Sequence, residues 1–103
     1  MSGSDKRGAK RLAYPCEAEC TGIGEGPLKT RLSDVSASGA FIDSLNPVPV
    51  GSRMTLKFTL PTGGVVVNAE VVHSMPQFGM GVRFLDLSEE QRRRIERAVE
   101  EGS

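Results

Sequence analysis

Histidine occurs once in this sequence, at position 73, cysteine twice and tryptophan not at all. One histidine leaves no Ser–His–Asp set to assemble. No metal-ligating cluster and no pair of carboxylates in a recognisable frame accompany it, so the chain reads as a binding protein rather than an enzyme. No catalytic residue, metal or cofactor is expected. Cys16 and Cys20 are four positions apart in a segment that alternates like a strand. Extended backbone separates their Cα atoms by roughly 13 Å, too far for a disulfide. The spacing is not C-x-x-C, and no second cysteine pair completes a zinc site. Both read as small buried hydrophobes.

Aromatic residues are equally few: Tyr14, Phe41, Phe58, Phe78 and Phe84. They are not interleaved with basic residues, which disfavours a small RNA-binding barrel. The 13 basic and 13 acidic residues cancel, whereas bulk binding to DNA or RNA normally needs a basic surface. No apolar run approaches the ~20 residues that span a bilayer. Met1-Ser2-Gly3-Ser4-Asp5 carries no apolar signal core. No membrane insertion is expected, and the expected compartment is the cytoplasm.

What is present fits one domain of 103 residues with a single modest core. Residues 1–11 are polar and without periodicity, and read as a flexible N-terminal arm. From Leu12 the pattern alternates to Cys20, with Pro15 marking an edge or a bulge. Gly22 to Pro27 is turn-rich. A second strand is expected over about Leu28–Ser33, ending in a turn, and a short third over Ala40–Ile42. Asn46–Gly51 is a loop, because its prolines remove donors and fix φ. Met54, Leu56, Phe58 and Leu60 then alternate with polar residues in the clearest strand of the chain. Pro61-Thr62-Gly63-Gly64 turns it into a partner over Val65–His73. Met80, Val82 and Phe84 supply the inward face of a last strand, from which Arg83 points outward.

Ser88 with Gln91 three residues on is a capping box, and Glu89 and Glu90 suit a helix N-terminus. That helix, about Glu89–Glu101, has a narrow apolar stripe of Ile95, Ala98 and Val99. Its mixed charges read as a solvated face. The sum is an all-β fold: a small six-stranded antiparallel β-barrel over residues 12–103 with a C-terminal α-helix packed at one end.

Two short motifs carry the chemistry. Arg7 and Arg11 form R-x-x-x-R within a basic cluster that also holds Lys6 and Lys10. Asp34, Ser36 and Gly39 form D-x-S-x-x-G. Guanidinium groups pair bidentately with phosphate and with guanine O6 and N7, and they stack on purines. A carboxylate accepts from the N1–H and N2–H₂ donors of guanine. The set therefore suits an anionic, guanine-bearing ligand. Each motif also has a plainer reading, as a basic arm and as a turn in which Asp and Ser satisfy amides and Gly takes φ > 0.

In this order and spacing, and followed by Gly79-Met80-Gly81-Val82-Arg83-Phe84-Leu85-Asp86, the motifs resemble those of the PilZ family, bacterial receptors for cyclic di-GMP. The likeness runs from Lys6 to about Ala98. It implies the same barrel, with Arg7 and Arg11 binding guanine and phosphate and Asp34 and Ser36 contacting a guanine. Gly39 would let backbone approach closely. Many members carry an arginine where this chain has Lys6, and that arginine goes with an intercalated ligand dimer. Lysine stacks poorly, so the stoichiometry stays open at one or two ligands. The resemblance implies a cyclic di-GMP receptor that changes conformation to regulate an effector protein. The alternative is a degenerate PilZ module that docks partners without nucleotide.

Overall fold

The structure, a computed structural model, describes residues 11–22, 26–45 and 47–102, the first five and the last of these as backbone. They form strands β1 (Arg11–Thr21), β2 (Leu28–Ser36), β3 (Gly39–Asp43), β4 (Arg53–Leu60), β5 (Gly63–Met75) and β6 (Gly79–Leu85), then helix α1 (Glu89–Gly102). All neighbouring strands are antiparallel, and they close into a barrel in the order β1-β2-β3-β6-β5-β4. This is the six-stranded barrel with a terminal helix that the periodicity predicts. Among the described residues no helix is long and apolar enough to cross a membrane.

The period-two strands explain the core. Met54, Leu56, Phe58 and Leu60 of β4 are buried opposite Ala69, Val67, Val65 and Gly63 of β5, while Arg53, Lys57 and Thr59 face solvent. The turn joining these strands is Pro61–Thr62, and Gly63 follows it at φ +123°, a conformation that favours glycine. Phe58 and Phe84 stack with centroids 6.2 Å apart.

The capping box forms at the start of α1. The Ser88 amide donates to Gln91 Oε1 and the Gln91 amide to Ser88 Oγ, both at 3.0 Å. Gln91 Nε2 also donates to the Val66 carbonyl, and Arg94 to that of Gly64. These bonds fix the helix beside the β4–β5 hairpin. Its stripe of Ile95, Ala98 and Val99 joins the core.

Three bulges break the alternation, and one of them sets the phase of the D-x-S-x-x-G segment. Tyr14 and Pro15 lie where the β1–β2 register shifts, between Ala13 and Cys16. Pro15 also precedes the stretch in which β1 pairs with β4, which begins at Ala18. The missing proline N–H therefore disturbs only one ladder. In β2 the register with β3 shifts between Leu32 and Asp34, so Ser33 is the extra residue. Leu32 and Val35 are both fully buried although three positions apart. The bulge reverses the inward phase, and Asp34 and Ser36 consequently fall in the phase opposite to Val35.

The second strand therefore runs three residues beyond the expected Ser33. Asp34 and Val35 are laddered on both flanks, to Ala13 and Leu12 of β1 and to Phe41 and Ala40 of β3. Only Ala37 and Ser38 remain as turn.

Both cysteine thiols are free. Cys20 is 1% exposed, and burial pushes its thiol from an ordinary value of 9.0 up to about 11. Cys16 packs against the core and is also raised, by burial, with the Arg31 charge acting in the opposite direction. Both thiols are expected to react slowly with a thiol reagent at neutral pH until denaturant is added. A raised folded-state pKa means that stability is present below the unfolded thiol pKa and falls as pH rises from about 9 to 11. Rapid native-state labelling of both thiols would contradict the inward phase of residues 16–20.

Candidate functional site

The second motif is a hairpin built by its own side chains. Ser36 is 4% exposed. Its Oγ accepts from the amides of Gly39 at 3.2 Å and Ser38 at 3.3 Å. It also lies 3.3 Å from the Gly39 carbonyl, to which it donates, and 3.3 Å from Ser38 Oγ. A serine at the first turn position thus replaces the backbone in closing the turn. The turn is pinned to β6, where the Phe84 amide donates to the Ser38 carbonyl at 2.8 Å.

Gly39 does not serve the turn through a positive φ, contrary to the turn-chemistry expectation, because its φ lies outside the left-handed region. The requirement is steric. A Cβ there would overlap the Val82 carbonyl oxygen and sit 3.1 Å from Arg83 Cα. The close approach that glycine permits is made by β6, against which β3 pairs through Gly39 and Arg83.

The register brings part of the first motif to the second. Arg11 opens β1 and pairs directly with Ser36, and Ala13 pairs with Asp34. Adjacent strands are about 4.8 Å apart, so the backbone of Arg11 stands one strand spacing from the hairpin. Arg11 belongs to the barrel wall at this end, one residue before the expected start of the strand. Lys6 and Arg7 lie outside the described residues. Asp34 is half-buried.

Three further residues share the row of Asp34 around the outside of the barrel. The pairs run from Asp34 to Phe41, from Phe41 to Gly81, and from Gly81 to His73. Gly81 leaves a gap between two rings. A Cβ there would be 3.6 Å from His73 Cβ and 3.9 Å from Phe41 Cδ1. His73 is exposed and lies inside β5 rather than at its end, just past the bulge that shifts the β5–β6 register after Val71. That bulge has no local signature in the sequence, so the place of His73 in this row cannot be read from the chain. Arg83 points outward as expected and pairs with Glu70 at 3.1 Å.

A separate groove of about 580 Å³ lies toward the other end of β2, between Lys29, Arg31, Asp43 and the exposed Leu45 and Phe78. None of Asp34, Ser36 and Gly39 lines it. Asp34 and Ser36 lie on the outward phase of β2, opposite to the buried Val35.

A family model described as the PilZ domain matches residues 5–101. The chain belongs to the PilZ domain family. Known structures agree on the fold. The inhibitor of motility MotI/DgrA of Bacillus subtilis superposes with a TM-score of 0.81 at 13% identity, over 92% of this chain and 50% of that one. This PilZ domain thus spans half the length of the B. subtilis protein. The PilZ domain of YcgR from Escherichia coli, described with c-di-GMP, gives 0.76 at 18% identity, over 94% and 91%. The PilZ domain of CeSA from a cellulose-synthesizing bacterium gives 0.67 at 16%, over 88% and 95%. Comparison of the sequence with curated proteins gives no match.

Proposed function

We propose that this PilZ domain is a receptor for cyclic di-GMP, which it binds on the outside of the barrel where β1, β2 and β3 meet. The observation that carries this reading is the register. Arg11 stands across from Ser36, and Asp34 is held on a strand two positions away. The YcgR domain, of similar fold, is described with the same nucleotide. Asp34 is assigned to the guanine edge, and Arg7 and Arg11 to phosphate and purine face. Ser36 and Gly39 form the floor, and Lys6 adds charge.

Binding would order residues 6–10 against the wall and change the surface offered to a separate effector protein in the cytoplasm. One protein of similar fold is described as an inhibitor of motility. A second reading has its own support. Ser36 is explained by the hairpin it closes and Gly39 by the close approach of β6, so their presence is compatible with a docking module that needs no nucleotide.

Isothermal titration with cyclic di-GMP, with GTP and single-stranded RNA as controls, separates these readings. Saturable heat with cyclic di-GMP alone is expected. No saturation up to high micromolar ligand would hand the chain to the docking module. Amide exchange over residues 5–12 tests the arm. Protection should rise when ligand saturates, and an unchanged pattern would remove arm ordering even with binding intact.

A further inference from the structure

Resting on the nucleotide reading above, we infer that Arg83 is an additional phosphate contact of the site, restrained by Glu70 in the free protein. The row of cross-strand partners that contains Gly39 continues to Arg83 on β6, Glu70 on β5 and Arg53 on β4. Partners in such a row project from one face of the sheet. Val82, beside Arg83, is buried, so that face is the outer one.

Arg83 has two outward neighbours of very different character. On the β5 side is Glu70, whose Oε1 lies 3.1 Å from the guanidinium. On the β3 side is Gly39, which has no side chain and packs against the Arg83 backbone. Beyond Gly39 comes Ser36, with Arg11 as its partner on β1. Gly39 itself therefore puts no side chain between the guanidinium and the hairpin. Arg83 Cα and the Ser36 backbone are two strand spacings apart, about 10 Å. A nucleotide phosphate and an extended arginine bridge that interval together.

The ion pair can give way. The Arg83 side chain is 60% exposed and that of Glu70 20%, and an ion pair whose arginine is so well solvated contributes modestly. Glu70 also has Arg53 as its other cross-strand partner, so a second cation stands one strand away when Arg83 turns from it. A guanidinium that exchanges a carboxylate for a phosphate keeps its forked geometry. Glu70 therefore acts against the ligand twice, by holding Arg83 and by repelling phosphate.

Titration of cyclic di-GMP into the wild type, Glu70→Gln, Arg83→Ala, Arg83→Lys and the Glu70→Gln/Arg83→Ala double variant tests this. Arg83→Ala should weaken binding about tenfold or more and flatten its salt dependence. Arg83→Lys should fall between, since it keeps the charge and loses the fork. Glu70→Gln should tighten binding by about two- to fivefold, and the double variant should behave like Arg83→Ala alone. Melting temperatures should stay near the wild type, which separates a ligand contact from a structural one. If the wild type binds and Arg83→Ala matches it in affinity and salt slope, the role of Arg83 is overturned while the receptor reading stands. If the wild type does not bind, both fall.

Discussion

Gly39→Ala is expected to destabilise the barrel by at least about 2 kcal/mol, the range in which forced overpacking shifts backbone. The added methyl meets the Val82 carbonyl oxygen and the Arg83 Cα, both main chain rather than a side chain that could rotate away. Neither strand can retreat freely. β3 is paired with β2 on its other flank, and β6 with β5. Relief would have to break the Gly39–Arg83 pairing or the turn bonds of Ser36. For a domain of this size the melting temperature should drop by about 10 °C or more. Gly64→Ala is the control. No atom lies within 4 Å of its added Cβ, and its φ is unexceptional. It should be neutral or stabilising by up to about 1 kcal/mol. Thermal melts followed by circular dichroism give the comparison. Equal melting temperatures for the two variants would mean that β3 and β6 are not in the close register described.

The second large effect is on binding. Arg7→Ala, Arg11→Ala and Asp34→Ala should each weaken cyclic di-GMP by roughly 1–3 kcal/mol or more, the scale of charge-assisted and bidentate contacts. The two arginines should differ in kind. The backbone of Arg11 is already paired in β1, so Arg11→Ala removes a contact from a prepared strand. Arg7 lies on the segment that binding is proposed to order, at a backbone cost on the order of 1–2 kcal/mol per residue. Losing its contact removes part of what offsets that cost for the whole segment. Arg7→Ala should therefore also abolish the ligand-dependent protection of residues 5–10, whereas Arg11→Ala should reduce it in proportion to affinity. Titration and amide exchange on the same samples check this, with melts to confirm folding. Unchanged affinity in all three variants, with the wild type binding, would place the ligand elsewhere on the barrel.

Much of this protein was legible in the chain itself. The alternation of Met54 to Leu60, the Ser88–Gln91 box and the stripe of Ile95, Ala98 and Val99 each have a period or spacing that encodes its own local structure. They determine β4, the terminal helix and which residues of both face inward. The two motifs likewise show in the sequence as residue types suited to a guanine nucleotide. The site's assembly is another matter. The bulge at Ser33 turns Asp34 and Ser36 to the phase opposite Val35, and it shows only in the ladders: from Leu32 to Asp34 the partner on β3 changes by one residue and that on β1 by three. The approach of Val82 to Gly39, the pairing of Arg11 with Ser36, and the row joining Asp34, Phe41, Gly81 and His73 all depend on strands that are distant in sequence. A strand's own sequence specifies which side chains alternate. Which partner residue stands opposite is settled only when the whole barrel closes, because closure must satisfy every backbone ladder at once.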